Sequence, residues 1–335
     1  MRAWRALRAD RMLFASAIAA VLLVGSITFG PPILSAIVGH SSDTPFPYAT
    51  DPITRKPVGP LTKVWDTTTE YTDDSGYIRK PPPKGTPKTW LIAGADGTLG
   101  RDELLRLLEG GRTSLEVAVG GTIVAMAIGV LLGTIGGFLG GFIASAISRA
   151  TEFVMAFPLL LLVIAIGSQS HNSVDDITLG FLPRGVFSLI MLIGLFTWFY
   201  PARIIHTQVA ELRNRDFVEA AVMIGAKDVR ILRTHVLPHV LPTAIVYTTL
   251  LIPVNVLLEA GITFLGVGIK LPTPSWGNLL SAVWGSVLNP QYTSTALRSQ
   301  VWLTLLPSLM IFITVFTFNQ LGEGLREAFD PESRQ

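Results

Sequence analysis

Residues 216–238 read DFVEAAVMIGAKDVRILRTHVLP, a polar and basic stretch between two apolar segments that are each long enough to cross a membrane. Asp216 as N-cap with Glu219 three residues on gives the spacing of a capping box. Phe217, Ala220, Ala221 and Ile224 fall at i, i+3, i+4 and i+7, which predicts a short helix with one apolar face. Gly225 can stop that helix in a left-handed conformation. A second helical stretch follows, and Pro238 marks where the chain turns back toward the bilayer. The expected element is a helix–turn–helix outside the membrane, with two alanines small enough to let another backbone come close.

Composition agrees with a membrane setting. The chain has 335 residues, 49% of them hydrophobic and only 15% charged, with a mean hydropathy of +0.49. Soluble globular domains carry roughly 25% charged residues. A net charge of +2 gives no bulk electrostatic reason to expect nucleic acid. The absence of cysteine excludes disulfides, thiolate metal sites and a cysteine nucleophile.

Taken in order, the chain predicts four regions. Residues 1–39 hold an arginine-rich start, MRAWRALRADR, and an apolar run from Met12 to about Val38 that is interrupted by Gly30-Pro31-Pro32. The run is long for a signal peptide and lacks a convincing small-x-small cleavage site, so it reads as an uncleaved first span. Residues 40–112 contain nine prolines and no apolar run able to span. Within them TEYTDDSGYIRK (69–80) suggests a hairpin around Asp74-Ser75-Gly76, and PPPKGTPK (81–88) a stiff extended linker. GRDELLRLLEGGR (100–112) sets four leucines on one side of a short helix suited to the membrane surface.

Five further spans are expected near 113–137, 144–168, 186–209, 239–267 and 301–321, within a core of residues 113–321 that includes the loop 210–238. Residues 322–335 form a tail. Six spans put both termini on one side. The short loops on the other side carry only Arg184, Lys270 and Arg298, so the positive-inside rule places both termini in the cytoplasm. The ten basic residues of 40–112 do not count against this, because loops longer than ~60 residues largely escape the rule.

Two features inside the spans stand out. Gly121, Ala125, Gly129, Gly133, Gly137 and Gly141 recur every four residues down the second span and into the short turn after it; the regular spacing favours a stripe for close helix packing in lipid over a flexible, glycine-rich pore helix. Glu259 lies in the span that also carries Pro253; an ionisable group there is a candidate for the translocation path, and its position near the outer end also allows a hydrogen-bonding role beside water.

Other chemistry is missing from the sequence. No G-x-x-x-x-G-K-[ST] is present to cradle ATP, and no G-x-S-x-G to carry a nucleophile. His235 and His239 have the zinc-protease spacing, but Val236 occupies the glutamate position, so no metal site and no catalytic residue is expected.

EAA, three residues, Gly, nine residues and then His235-Val236-Leu237-Pro238 resembles the loop motif of ABC importer permeases, and the HxLP ending resembles the dipeptide/oligopeptide branch. GRD (100–102), KLPTPSWGNLL (270–280) and LGEGLREAFDP (321–331) are similar to the same branch, while the loop before GRD carries an insertion of several tens of residues. The resemblance implies an all-α membrane protein with the six-helix type I ABC importer permease fold, in the cell inner membrane. It implies that Asp216, Glu219, Ala220, Ala221, Gly225, Leu237 and Pro238 form a coupling helix that docks on a separate ATPase. The implied partners are a second homologous permease, two cytoplasmic ATPases that hold the ATP and Mg, and an extracytoplasmic substrate-binding protein. This chain would bind no cofactor itself. Uptake of short peptides is the implied function; relatives that carry nickel chelates or other small solutes leave the substrate open. A self-contained channel or secondary transporter is the competing class, weakened by the few ionisable residues in the spans. The insertion, residues 41–95, reads as a spacer or as a seat for the binding protein through Trp65, Tyr71, Tyr77 and Trp90.

Overall fold

The computed structural model describes residues 11–53, 56–73, 79–97, 99–158, 160–161, 165, 185–287 and 300–329. Helix α1 spans Arg11–Val38, α2 Glu103–Leu139 and α3 Gly141–Ala156. Helices α4 (Val186–Thr197) and α5 (Phe199–Arg213) follow, then α6 (Asp216–Met223) and α7 (Asp228–Ile231). Helix α8 is Leu237–Phe264, α9 Trp276–Val287 and α10 Val301–Phe329. The strands among the described residues are short: β1 Thr62–Trp65, β2 Lys88–Leu91, β3 Ala95–Asp96 and β4 Arg101–Asp102.

Among the described residues, five helical stretches are long and apolar enough to cross a membrane: Met12–Val38, Glu103–Leu139, Val186–Arg213, Asp228–Phe264 and Val301–Phe329. The expected span at 144–168 is represented by α3, whose 16 residues rise only about 24 Å. Most of its second half lies outside the described residues.

Three sequence expectations change. The leucine-rich segment at 103–112 is no separate surface helix but the start of α2, with Leu105 and Leu107 buried. Gly30-Pro31-Pro32 does not interrupt α1, which continues through both prolines. The boundary placed at residue 321 falls inside α10.

The chain divides into two compact units. The first comprises 1–21, 115–262 and 314–335. Its main packing runs between α2 and the α4–α5 pair. A Cβ built on Gly121 would meet Ile193 at 2.8 Å, one on Gly129 the Trp198 carbonyl oxygen at 2.9 Å, and one on Gly137 the His206 carbonyl oxygen at 2.6 Å. The four-residue stripe therefore presses backbone against backbone, as small residues allow where lipid supplies no hydrophobic drive. Gly141 departs from it, opening α3 at φ +54° with nothing near its Cβ position. The step between α4 and α5 has a local cause: Pro201 has no N–H to give the Thr197 carbonyl, and the ladder breaks one turn above it. Across to α8, buried Asn255 donates to the Thr122 hydroxyl at 2.9 Å.

The second unit comprises 22–114 and 263–313. Here the insertion has folded structure. β1 and β2 pair antiparallel with Thr62 opposite Leu91, and β3 pairs β4. Phe46, Ala49, Val64, Leu91 and Ala95 form a small core under the ribbon. The turn residues of the expected hairpin, 74–78, lie outside the described residues, but Thr72 and Arg79 pair antiparallel on either side of them. The expected stiff linker instead bends, Thr86 N–H donating to the Pro83 carbonyl, and its last residue opens β2.

Asp102 starts α2 by accepting from Leu104 N–H at 2.9 Å, and also binds His40 at 3.1 Å. Arg101 grips Asp96 with two nitrogens, while fully buried Arg106 reaches Asp96 and Asp43 at 2.8 Å each. Trp276, also fully buried, donates from its indole to the Leu107 carbonyl and packs on Gly111. At the start of α9, Ser275 and Asn278 exchange backbone-to-side-chain bonds, a reciprocal cap.

Candidate functional site

The segment 216–238 lies in the first unit and forms the expected pair of helical pieces. Its geometry begins one residue earlier than the sequence suggests. Arg215 is the N-cap, in extended conformation and without a side-chain cap bond, so Asp216 is the first helical residue rather than the cap. Asp216 and Glu219 are then two carboxylates in the first turn, where the helix dipole favours negative charge.

The other end is closed as the sequence predicts. Gly225 has φ +79°. Ala226 N–H donates to the Ala221 carbonyl at 3.0 Å and Gly225 N–H to that of Val222 at 2.9 Å, the two bonds of a Schellman motif.

The faces of α6 differ from the predicted ones. Val218 and Ala221, 2% and 5% exposed, pack into a cluster with Phe138 of α2, Ile205 and Val209 of α5, and Ile231, Val236 and Val240 beyond the turn. The remaining apolar residues point away: Met223 is 81% exposed and Ile224 85%, and Ala220 and Glu219 are exposed as well. Phe217 stacks on His239, ring centroids 5.3 Å apart. Ala221 therefore serves the chain's own core, and only Ala220 of the alanine pair is open to another molecule.

Beyond α7 the chain does not break. Leu232–Val236 forms a π turn, and α8 begins at Leu237 with Pro238 and Pro242 in its first two turns. Pro238 thus sits inside a continuous helical path, where its missing N–H and the wider turn coincide. His239 is tied back through Nδ1 to the His235 carbonyl at 2.6 Å, and Gln208 donates to the His239 carbonyl. Leu237 and Pro238 are exposed. A groove of about 620 Å³ runs beside α6, lined by Phe138, Arg213, Val218, Glu219, Met223 and Asp228. Anchored on one side, α6 presents Ala220, Met223 and Ile224 on the other beside this mixed groove. No three His, Asp or Glu side chains among the described residues are grouped to hold a metal.

The remaining predicted residues fall elsewhere in the first unit. Gly129, Gly133 and Gly137 lie in the α2 stripe against α5. Glu259 is buried in α8, 0% exposed, and Pro253 sits within that helix without interrupting it. The water access expected for Glu259 is not present. Sequence reasoning missed Val218 as the anchor of α6, and it missed the Asn255–Thr122 bond, since residues 133 positions apart leave no local pattern.

Comparison with known proteins follows the same line. A candidate peptide permease of Brucella ovis is 36% identical over 246 residues, covering 73% of this chain and 74% of that protein. The oligopeptide transport system permease protein OppC of Haemophilus influenzae is 34% identical over 249 residues, covering 74% and 73%. Among solved structures, the methionine ABC transporter MetNI in an inward-facing form aligns with a TM-score of 0.46 at 18% identity, over 66% of this chain and 97% of that one. Residues 129–335, which include the whole of α6 and the turn after it, match the family model for the inner membrane component of binding-protein-dependent transport systems, and the chain belongs to that family.

Proposed function

We propose that this chain is the membrane-spanning permease subunit of an ATP-driven importer of short peptides, and that α6 and the turn behind it couple it to a separate ATPase. The observation that carries the reading is the two-sided character of α6. Val218 and Ala221 fix it to the spans, while Ala220, Met223 and Ile224 remain exposed. A force applied to the exposed side is then delivered to α2 and α5 through the same cluster. The peptide substrate is supported by relatives named as oligopeptide permeases.

On this reading the partners are a second, similar permease, two ATPases that bind ATP and Mg, and a substrate-binding protein on the opposite face. Both termini and α6 lie in the cytoplasm. This chain binds no cofactor and performs no bond chemistry. Closure of the ATPase pair moves α6, and the spans rock between inward- and outward-facing states.

The test is reconstitution of the chain with its ATPases, second permease and binding protein in vesicles, followed by uptake of a labelled tripeptide. ATP-dependent uptake is expected, abolished when the binding protein is left out. Uptake of a nickel chelate instead of the peptide would move the substrate to another branch of the family. Failure of the ATPase to copurify would remove the coupling reading.

A further inference from the structure

The second unit contains a cavity of about 320 Å³ whose wall includes Glu103, Leu271, Leu279, Ala282, Gln300 and Leu303. That volume is at the small end of the ~300–1,000 Å³ typical of small-molecule sites. Much of the wall is aliphatic, and its charged side is the cluster at the start of α2.

Every carboxyl group of that cluster but one has a partner; His40 Nδ1 and Arg106 Nε also lack a hydrogen bond, although Arg106 Nε lies 2.8 Å from Asp96. Asp96 is held by Arg101 and by Arg106. Asp43 takes the other face of Arg106. Asp102 is engaged by His40 and by two backbone N–H groups of α2. Glu109 accepts from the Ser42 hydroxyl. Glu103 is 1% exposed, and neither carboxylate oxygen has a hydrogen-bond partner. Five carboxylates thus face two arginines, both already paired, together with His40. A buried acceptor left without a donor is costly, so its environment calls for one.

We infer that this cavity binds a primary ammonium group carrying a short aliphatic chain, with the ammonium donating to Glu103 and the chain lying against Leu271, Leu279 and Leu303. The chemistry of the wall selects the class. A hard divalent ion would want several oxygen ligands converging on one point, and among the described residues no three acids or histidines are placed to hold one, those of this cluster included. Arg101 and Arg106 also line the cavity, but both are held by Asp96 and Asp43, so an anion would meet the one carboxylate lacking a donor. An alkylammonium supplies the missing donors and covers the aliphatic wall at once. A free amine and the amino end of a short peptide share this chemistry; the inference does not depend on the transport reading.

The experiment uses the full chain in lipid nanodiscs, with empty nanodiscs subtracted, and measures binding by ligand-observed NMR. The probes are isopentylamine, its neutral counterpart isopentanol, dileucine and N-acetyl-dileucine. Isopentylamine is expected to bind more tightly than isopentanol by about tenfold or more, the scale of a hydrogen bond to a charged group. Glu103→Gln should erase that preference while leaving the weak binding of isopentanol. Binding of dileucine but not of its acetylated form identifies a peptide's amino end as a source; binding of isopentylamine alone identifies a free amine. Ala282→Phe, which narrows the cavity from an exposed position, should weaken the amine independently, so the test stands even where Glu103→Gln lowers the yield of folded protein. Equal affinity for amine and alcohol, an unchanged amine affinity in either variant, or displacement of the amine by magnesium alone at lower concentration would each overturn the assignment.

Discussion

Gly133 of α2 touches the backbone of Ala202 in α5: a Cβ at position 133 would lie 2.6 Å from the Ala202 carbonyl oxygen and 2.9 Å from the Ile205 Cβ. Backbone cannot yield as a flexible side chain does, so even alanine forces the helices apart. Gly133→Ala should destabilise the chain by about 1–3 kcal/mol, the usual cost of overpacking, and Gly133→Leu by more. The control is Leu131→Phe, at a position 60% exposed on the outside of the same helix. Thermal unfolding in detergent checks both; a Gly133→Leu protein melting with the wild type would mean that α2 and α5 do not pack here.

The faces of α6 separate two kinds of damage. Ala221→Trp adds an indole to the cluster around Val218, Ile231 and Val236, so it should lower the melting temperature of the isolated chain. Ile224→Asp changes a residue 85% exposed and should leave melting unchanged. In the proposed coupling role, that same substitution should weaken ATPase capture by about 2 kcal/mol or more, as loss of a central contact does. Melting curves together with a pull-down decide the matter. Full ATPase capture by Ile224→Asp would show that the exposed face of α6 is not the contact.

Much of this architecture is legible in the amino-acid sequence. The apolar runs, the glycine stripe and the EAA-to-HVLP spacing point to the all-α fold of a type I ABC importer permease, to which the family match and the five long helices correspond. The identity of the covered faces is not legible there. In α6 nearly every position other than Asp216 and Glu219 is apolar, so an i, i+3, i+4, i+7 pattern beginning at Phe217 fits as well as one through Val218 and Ala221. Only the neighbours on α2 and α5 decide between them. The leucines of 104–108 show the same ambiguity: a lipid-facing stripe and a protein-facing stripe have one periodicity. The charged cluster is out of reach for another reason, since Asp43 and Arg106 are 63 residues apart and meet only through tertiary folding.

That cluster should be sensitive to removal of its centre. The Arg106 side chain is fully buried and joins Asp96 to Asp43. Arg106→Met keeps much of the volume and removes the charge. Breaking a buried pair costs about 3–5 kcal/mol; Asp96 keeps Arg101 and Asp43 is half exposed, so the loss here should fall at or below the lower end. Thermal unfolding measures it, and Arg106→Lys should recover little, because an ammonium cannot fork between two carboxylates. A melting temperature unchanged by Arg106→Met would show that the pairs contribute nothing net.

The proposed orientation has a direct chemical check. With no native cysteine, single cysteines at Thr69 and at Ser333 can be labelled in intact cells with an impermeant maleimide. Position 69 should react and position 333 should react only after the membrane is opened. The reverse pattern would invert the topology and place α6 on the outer face.

Gly225 gives the sharpest test of how the loop is held. Its φ of +79° is a conformation that a β-branched residue resists, yet a Cβ there would meet nothing within 4 Å. The cost of substitution is therefore conformational and not steric. Gly225→Val should lose about 1–3 kcal/mol from the closing turn, whereas Gly225→Asn, which tolerates the left-handed region, should lose much less. Because the two bonds from Gly225 and Ala226 set the angle between α6 and α7, the valine variant should free α6 from the cluster around Val218 before the spans unfold. Hydrogen exchange reads this directly: the amides of 218–226 should exchange faster in Gly225→Val, with those of α2 and α5 unchanged and with Gly225→Asn close to wild type. In the assembled transporter the same variant should lower ATPase stimulation by liganded binding protein without altering the binding protein's affinity for its ligand. Equal exchange in the valine and wild-type proteins would show that the Schellman turn does not hold α6 in place, and the rigid connection from α6 to the spans would then rest on Val218 and Ala221 alone.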